Sequence, residues 1–239
     1  MSLSGKRIVI LGGTSGIGFA TAQLAAREGA AVVIASSNGA RVEAALARLP
    51  QGHEGHTLDL SRESSVSGFF ERLGAFDHLA FTAGEQLQLG KVADTELAVA
   101  QPFFNLRYWG AFSAAKHGAR HVRAGGSLVF TSGSASIRPQ AGWALGASIC
   151  AAMEGLTRAL AVELAPIRVN LVAPGIVKTP LWGAMSEADR DALYRQSAAL
   201  LPVAHVAEPE EIAQAYLYAM RQTYATGEVL RVDGGNALV

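Results

Sequence analysis

Short apolar runs, each too brief for a helix, alternate along the whole chain with longer segments of helical period. "RIVIL" (7–11) is apolar throughout after Arg7, as in a strand buried on both faces. The same reading predicts strands at 30–36, 56–60, 77–84, 126–132, 167–175 and 228–235. Helices are predicted between them at 16–28, 39–49, 63–73, 96–121 and 147–164. In the last of these, Ile149, Met153, Leu156, Leu160 and Leu164 recur at spacings of three or four and mark one apolar face. Strand–helix alternation from end to end predicts an α/β fold: one domain over 1–239, with a doubly wound, seven-stranded parallel sheet covered by helices on both faces. The stretch 176–208 has weak strand signals and two prolines, and is the expected substrate lid.

Bulk properties narrow the function. Formal net charge is zero, so nothing draws the chain toward nucleic acid or an anionic membrane. A single cysteine, Cys150, excludes an intrachain disulfide and a thiol metal cluster. "MSLSGKRIVILGG" reads as a strand entering a turn rather than a signal peptide. No apolar run approaches the roughly 20 residues that span a bilayer. The expected setting is cytoplasmic, with a small-molecule substrate and neither a nucleic-acid nor a membrane partner.

"ILGGTSGIG" places Gly12, Gly16 and Gly18, with Thr14, Ser15 and Ile17 among them, directly after the first strand and at the opening of the first helix. Such a turn lets backbone approach a pyrophosphate, whose charge then sits at a helix N-terminus. The end of the second strand bears on which dinucleotide is preferred. A carboxylate there would bind the ribose hydroxyls and repel a 2′-phosphate. The chain instead has Ser36, Ser37 and Asn38, with Arg41 one turn into the next helix. These groups favour NADP(H) over NAD(H), although Ser36 to Asn38 would also suit a helix cap.

With these pieces in order, the chain resembles the short-chain dehydrogenase/reductase family along essentially its whole length. "GGTSGIG" is similar to the family's glycine motif, "TAG" (82–84) to its fourth-strand motif, "APGIVKTP" to the segment after its sixth strand, and "VDGG" to its C-terminal strand. The resemblance implies a Rossmann fold. It implies that Asp59 and Leu60 hold the adenine, and that Thr82, Ala83 and Gly84 lie against the adenosine side. Pro174, Gly175, Ile176 and Thr179 would surround the nicotinamide. It also implies a homodimer or homotetramer packed through two long helices, here near 96–121 and 147–164.

The family's chemistry normally uses Asn, Ser, Tyr and Lys, and here the resemblance breaks. Counting back from "EGLTRALAVELAP" puts the tyrosine place at Gly146 and the lysine place at Cys150. Counting back from "RP" (138–139) puts the serine place at Gly133, between Ser132 and Ser134. Registering "NLRYWGAF" on Gly110 puts the asparagine place at Arg107; choosing Asn105 requires a two-residue insertion. Glycine transfers no proton, and a thiol with a pKa of about 8.5 replaces an ammonium poorly. Loss of a positioned acid costs roughly 10²–10⁴-fold, whereas holding two reactants together is retained.

The expected activity is therefore NADP(H)-dependent hydride transfer at a non-standard active site, to a small carbonyl, enone or iminium-type substrate. Arg107 is the first replacement candidate, stabilising an oxyanion or binding a carboxylate. Ser132 and Ser134 come next. The alternative is a catalytically inactive NADP(H)-binding sensor or partner protein; a third is a non-redox reaction guided by a structural cofactor. Trp143 and Trp182 are candidates for the walls of an apolar pocket. Tyr108 faces another side of its helix. His117 and His121 read as surface residues, because two histidines without a third ligand make no metal site. Cys150 reads as a small buried residue rather than a nucleophile.

Overall fold

Along β1 (Arg7–Leu11) the side chains alternate between two cores. Val9 and Leu11 join one cluster with Phe69, Phe70 and Met153, while Ile8 and Ile10 join another with Phe19, Ile212 and Tyr216. A strand buried on both faces needs apolar residues at successive positions, which is the pattern read from "RIVIL". The computed structural model describes residues 2–239. It contains one sheet of seven strands in the order β3-β2-β1-β4-β5-β6-β7. Every pairing is parallel.

The other strands are β2 (Ala31–Ser36), β3 (Glu54–Thr57), β4 (Phe76–Phe81), β5 (Val122–Thr131), β6 (Arg168–Pro174) and β7 (Val229–Val232). Helices α1 (Gly16–Arg27), α2 (Gly39–Leu46) and α8 (Pro209–Arg221) contribute to one core. On the other face lie α3 (Glu63–Leu73), α5 (Ala111–Gly118) and α6 (Ala144–Glu163). Each fully buried leucine or phenylalanine contributes roughly 1.5–3 kcal/mol. The side chain of Arg168 on β6 donates to the Ala219 and Met220 carbonyls at 2.7 and 2.8 Å, capping the last turn of α8 against the sheet.

Several expectations require correction. The helix predicted over 96–121 is broken into α4 (Leu97–Ala100), a 3₁₀ turn (Gln101–Phe104), a π-helical segment (Asn105–Gly110) and α5. Pro102 has no amide hydrogen to donate, and the Glu85 carboxylate takes the amides of Leu106 and Arg107. Strand β3 ends at Thr57 rather than continuing to residue 60, and Asp59 accepts from the Ser61 amide and hydroxyl instead. Strand β4 stops at Phe81, so 82–84 form the turn beyond it. The stretch 176–208 contains α7 (Glu187–Leu200), which no periodic reading anticipated because it buries no residue. Helix α8 was likewise not anticipated.

Helix α6 buries Ile149, Met153, Leu156 and Leu160, the face expected from their spacing, and packs on β5 and β6. It also has the length and mean hydropathy of a bilayer-crossing segment, a property shared by long helices in protein cores.

Candidate active site

Strand order reverses around β1 and β4, and a cleft opens beyond their carboxyl ends. Its volume is about 460 Å³. The glycine turn forms one wall. Gly12 has φ +90°, and a Cβ there would lie 2.6 Å from the Ala83 nitrogen. A Cβ on Gly18 would lie 2.3 Å from both the Gly12 carbonyl oxygen and Thr82 Oγ1. Only bare backbone lets α1 start this close to the β4 turn. Ser15, the residue before α1, makes no side-chain cap, which leaves the amides of the first turn facing the cleft. Thr14, Gly16 and Ile17 complete this wall. Thr179 approaches it from the loop after β6.

At the far end of the cleft lie Ser36, Ser37 and Arg41, with Asp59 and Leu60 beside them. Asn38 does not line the cleft; its Oδ1 accepts the Arg41 amide at 3.0 Å and caps α2. The helix-cap reading therefore holds for Asn38 alone. Hydrogen bonds from the Ser61 hydroxyl and amide hold the Asp59 carboxyl below its ordinary range. Thr82, Ala83 and Gly84 line the middle of the cleft. The residues present fit a dinucleotide: a bare-backbone cradle at a helix N-terminus, then hydroxyls and a cation at the distal end.

A second cavity, of about 100 Å³, adjoins the first. Pro174, Gly175 and Ile176 border it, as do Ser132, Gly133, Ser134, Gly146 and Cys150. Gly146 lies in the first turn of α6, and Cys150 follows one turn later on the same face. A Cβ on Gly146 would meet its nearest neighbours, Leu87 and Trp143, at 4.0 Å, so a methyl group fits there without strain. The Cys150 thiol is buried, and burial raises its pKa; Arg107's positive charge opposes that shift. Trp143 and Trp182 do wall this cavity together, with ring centroids 6.3 Å apart and planes inclined at 51°.

The two serines differ. Ser132 Oγ donates to the Cys150 carbonyl at 3.0 Å, so its proton is committed to backbone. Ser134 Oγ accepts from Asn236 Nδ2 at 3.1 Å, which leaves the hydroxyl proton for another acceptor.

Arg107 and Leu181 border both cavities. Arg107 Nη2 donates to the Glu85 carbonyl oxygen at 3.3 Å, and Nε is buried with no hydrogen-bond partner among the described residues. Its guanidinium lies against Gly84, where a Cβ would come within 2.3 Å of Nη2. Asn105 is exposed and borders neither cavity. Tyr108 packs against the hydrophobic cores instead.

Sequence reasoning missed Glu85, which braces the π-helical segment, and Asn236, which reaches the second cavity from the C-terminal segment. It also missed Thr131, whose hydroxyl donates to the Phe81 carbonyl at 2.6 Å and lies 2.5 Å from the Tyr216 hydroxyl. Tyr216 is fully buried, and burial drives its pKa upward. No local pattern marks these residues, since their partners lie far away in the chain. His117 Nε2 lies 2.9 Å from Glu63, and no cluster of three metal-ligating side chains occurs among the described residues.

A family model described as enoyl-(acyl carrier protein) reductase matches residues 12–237. The short-chain dehydrogenase/reductase malC of Malbranchea aurantiaca is 34% identical over 257 residues, covering 99% of this chain and 96% of that protein. A solved structure of MalC reductase/Diels-Alderase from the same organism is 32% identical and superposes with a TM-score of 0.91, over 99% of this chain and 98% of the other. A small-chain dehydrogenase solved in complex with NADPH is 41% identical, with a TM-score of 0.84 over 99% of this chain and all of the other. With the sheet order, the glycine cradle and these relatives in agreement, the chain belongs to the short-chain dehydrogenase/reductase family of oxidoreductases.

Proposed function

We propose that this chain is an NADP(H)-dependent reductase whose active site replaces the family's usual Asn, Ser, Tyr and Lys with Arg107, Gly133, Gly146 and Cys150. The observation that carries this reading is the position of Arg107, a cation where the dinucleotide cleft meets the second cavity. Gly12 and residues 14–18 would hold the pyrophosphate, and Ser36, Ser37 and Arg41 a 2′-phosphate. Asp59, Leu60 and residues 82–84 would hold the adenosine. Pro174, Gly175, Ile176 and Thr179 would border the nicotinamide. The NADPH complex of a relative that is 41% identical supports the choice of NADP(H). Bound NADPH supplies the hydride.

The chain's own groups then serve the substrate: a small carbonyl, enone or iminium-type compound. Arg107 offers a guanidinium to an oxygen that gains electrons. Ser134, oriented by Asn236, donates a hydrogen bond to the same oxygen. Helix α7, which buries no residue, can move as a lid over the site within 176–208. Exposed Trp109, Phe112 and Val162 support burial of this face in a homodimer or homotetramer.

The test is oxidation of NADPH at 340 nm against ketones, enones and cyclic imines. Turnover of at least one class is expected, with a loss of about 100-fold in kcat/KM for Arg107→Met. Turnover that is indifferent to that substitution removes Arg107 from the chemistry. Tight NADPH binding without turnover on any class assigns the chain to the sensor reading.

A further inference from the structure

We propose that the cavity bordered by the packed pair Trp143 and Trp182 binds a single conjugated ring bearing an oxyanion, a phenolate or cyclic enolate, with the oxygen on Arg107 and the ring against the indoles. On the reductase reading, on which this role rests, the oxyanion is the product of hydride transfer: hydride from NADPH adds to a quinone or cyclic enone and leaves a phenolate or enolate oxygen; binding itself is testable without cofactor.

Size sets the first limit. The cavity measures about 100 Å³. A dry cavity that binds benzene measures about 150 Å³, so this one takes no more than a single ring, part of which must reach into the adjoining cleft. Shape sets the second. The two indoles are inclined at 51°, and a Cβ added at Gly146 would just touch Leu87 and Trp143 at 4.0 Å, so no side chain from Gly146 enters the cavity they border. A flat aromatic or conjugated ring gains dispersion and stacking contacts there that a flexible chain would not.

Charge sets the third. Arg107, Arg138 and Cys150 are the ionisable residues that border this cavity; among the described residues no Asp, Glu, His, Lys or Tyr does. The nearby carboxylates are engaged elsewhere. Glu85 accepts the amides of Leu106 and Arg107, while Glu154 accepts from Ser136 and pairs with Arg158. Cys150 stays a neutral thiol because burial raises its pKa. The charged side chains that border the cavity itself are both cationic, which favours an anion over a cationic ring there.

Donors set the fourth. Arg107 Nε has no partner among the described residues, and the Ser134 hydroxyl keeps a proton to give. A phenol resembles tyrosine, with an ordinary pKa of about 10, so it ionises far more readily than an alcohol and a neighbouring guanidinium shifts it further toward the anion. A simple alkoxide is far more basic and would need the acid that Gly146 cannot supply. The same site thus suits a delocalised oxyanion and disfavours an isolated ketone.

The test uses 4-nitrophenol, whose anion absorbs in the visible, titrated into cofactor-free protein across a pH series. The bound probe should ionise with a pKa lowered by about one unit, a tenfold preference for the phenolate. Arg107→Met should remove that preference, Arg107→Lys should restore part of it, and Gly146→Phe should block binding by filling the ring space. Circular dichroism confirms that each variant is folded. Preferential binding of neutral nitrophenol overturns the proposal, as does unchanged phenolate affinity in Arg107→Met or tighter binding of N-methylpyridinium than of the phenolate. NADPH binding, followed separately by its fluorescence, distinguishes the two readings: its absence with phenolate binding intact defeats the reductase assignment and leaves the oxyanion site standing.

Discussion

Arg107 and Glu85 are tied together twice. The guanidinium donates to the Glu85 carbonyl oxygen at 3.3 Å, and the Glu85 carboxylate accepts the Arg107 amide at 3.2 and 3.3 Å. The same carboxylate accepts the Leu106 amide at 2.5 Å. Hydrogen bonds to a charged group are worth about 1.5–3 kcal/mol, and here they fix the π-helical segment that aims Arg107 at the site. Glu85→Ala is expected to lower kcat/KM by about 10–100-fold. Glu85→Gln, which keeps one acceptor oxygen, should recover part of the loss. Steady-state kinetics at 340 nm measure both; equal activity in all three proteins would show that Glu85 does not position Arg107.

The glycine cradle has no room for a methyl group. A Cβ on Gly18 would sit 2.3 Å from two oxygen atoms, one of them backbone. Gly18→Ala should cost about 1–3 kcal/mol through overpacking and weaken NADPH binding at least tenfold. Urea denaturation and a fluorescence titration read the two effects independently.

Gly146 presents the opposite case. Its nearest neighbours to an added Cβ are 4.0 Å away, in the first turn of a long helix. Gly146→Ala should stabilise the fold by about 0.5–1 kcal/mol, the ordinary helix advantage of alanine. A urea midpoint that falls instead would show that the space over α6 is needed by the native packing.

Nucleotide choice is expected to rest on Arg41 and Ser37 at the distal end of the cleft. Arg41→Ala should weaken NADPH binding about 10-fold or more while sparing NADH, since a charge-assisted contact to the 2′-phosphate is lost. Ser37→Asp should shift preference toward NADH by repelling that phosphate. Paired dissociation constants for the two nucleotides decide the matter.

Buried His78 predicts an acid-sensitive fold. Burial, and secondarily the Arg168 charge, lowers its pKa to about 4. Its Nδ1 lies 2.9 Å from Ser127 Oγ. The unfolded chain takes up this proton near pH 6.5, while the folded chain resists until about pH 4. A depressed folded pKa means that stability is intact above pH 6.5 and is lost progressively as pH falls toward 4, by about 3 kcal/mol. His78→Asn should flatten this part of the stability–pH curve; an unchanged slope would place the acid sensitivity elsewhere.

The elements that sequence alone determined are those specified by local patterns. A short apolar run followed by a glycine turn reads as β1 and a strand-to-helix junction, and the structure has both there. The face of α6 from Ile149 to Leu160 follows from helical spacing in the same way. Breaking of the helix predicted over 96–121 was legible only in part: Pro102 is a breaker visible in the sequence, but the π-helical segment depends on a carboxylate about 20 residues upstream. Helix α7 escaped notice because it buries no residue and so carries no apolar period.

Tertiary structure alone decided where the chemistry sits. Gly146 and Cys150 share one helix and border the second cavity, but the arginine that borders it with them comes from another segment, held by Glu85. Ser134 and Ser132 differ in their partners: Asn236, more than a hundred residues away in the chain, donates to Ser134, whereas Ser132 donates to the Cys150 carbonyl. Periodicity and turn chemistry act between near neighbours and are written locally. Hydrogen-bond partners and cavity walls arise where distant segments meet, so the packed sheet and helices must exist before those relationships do.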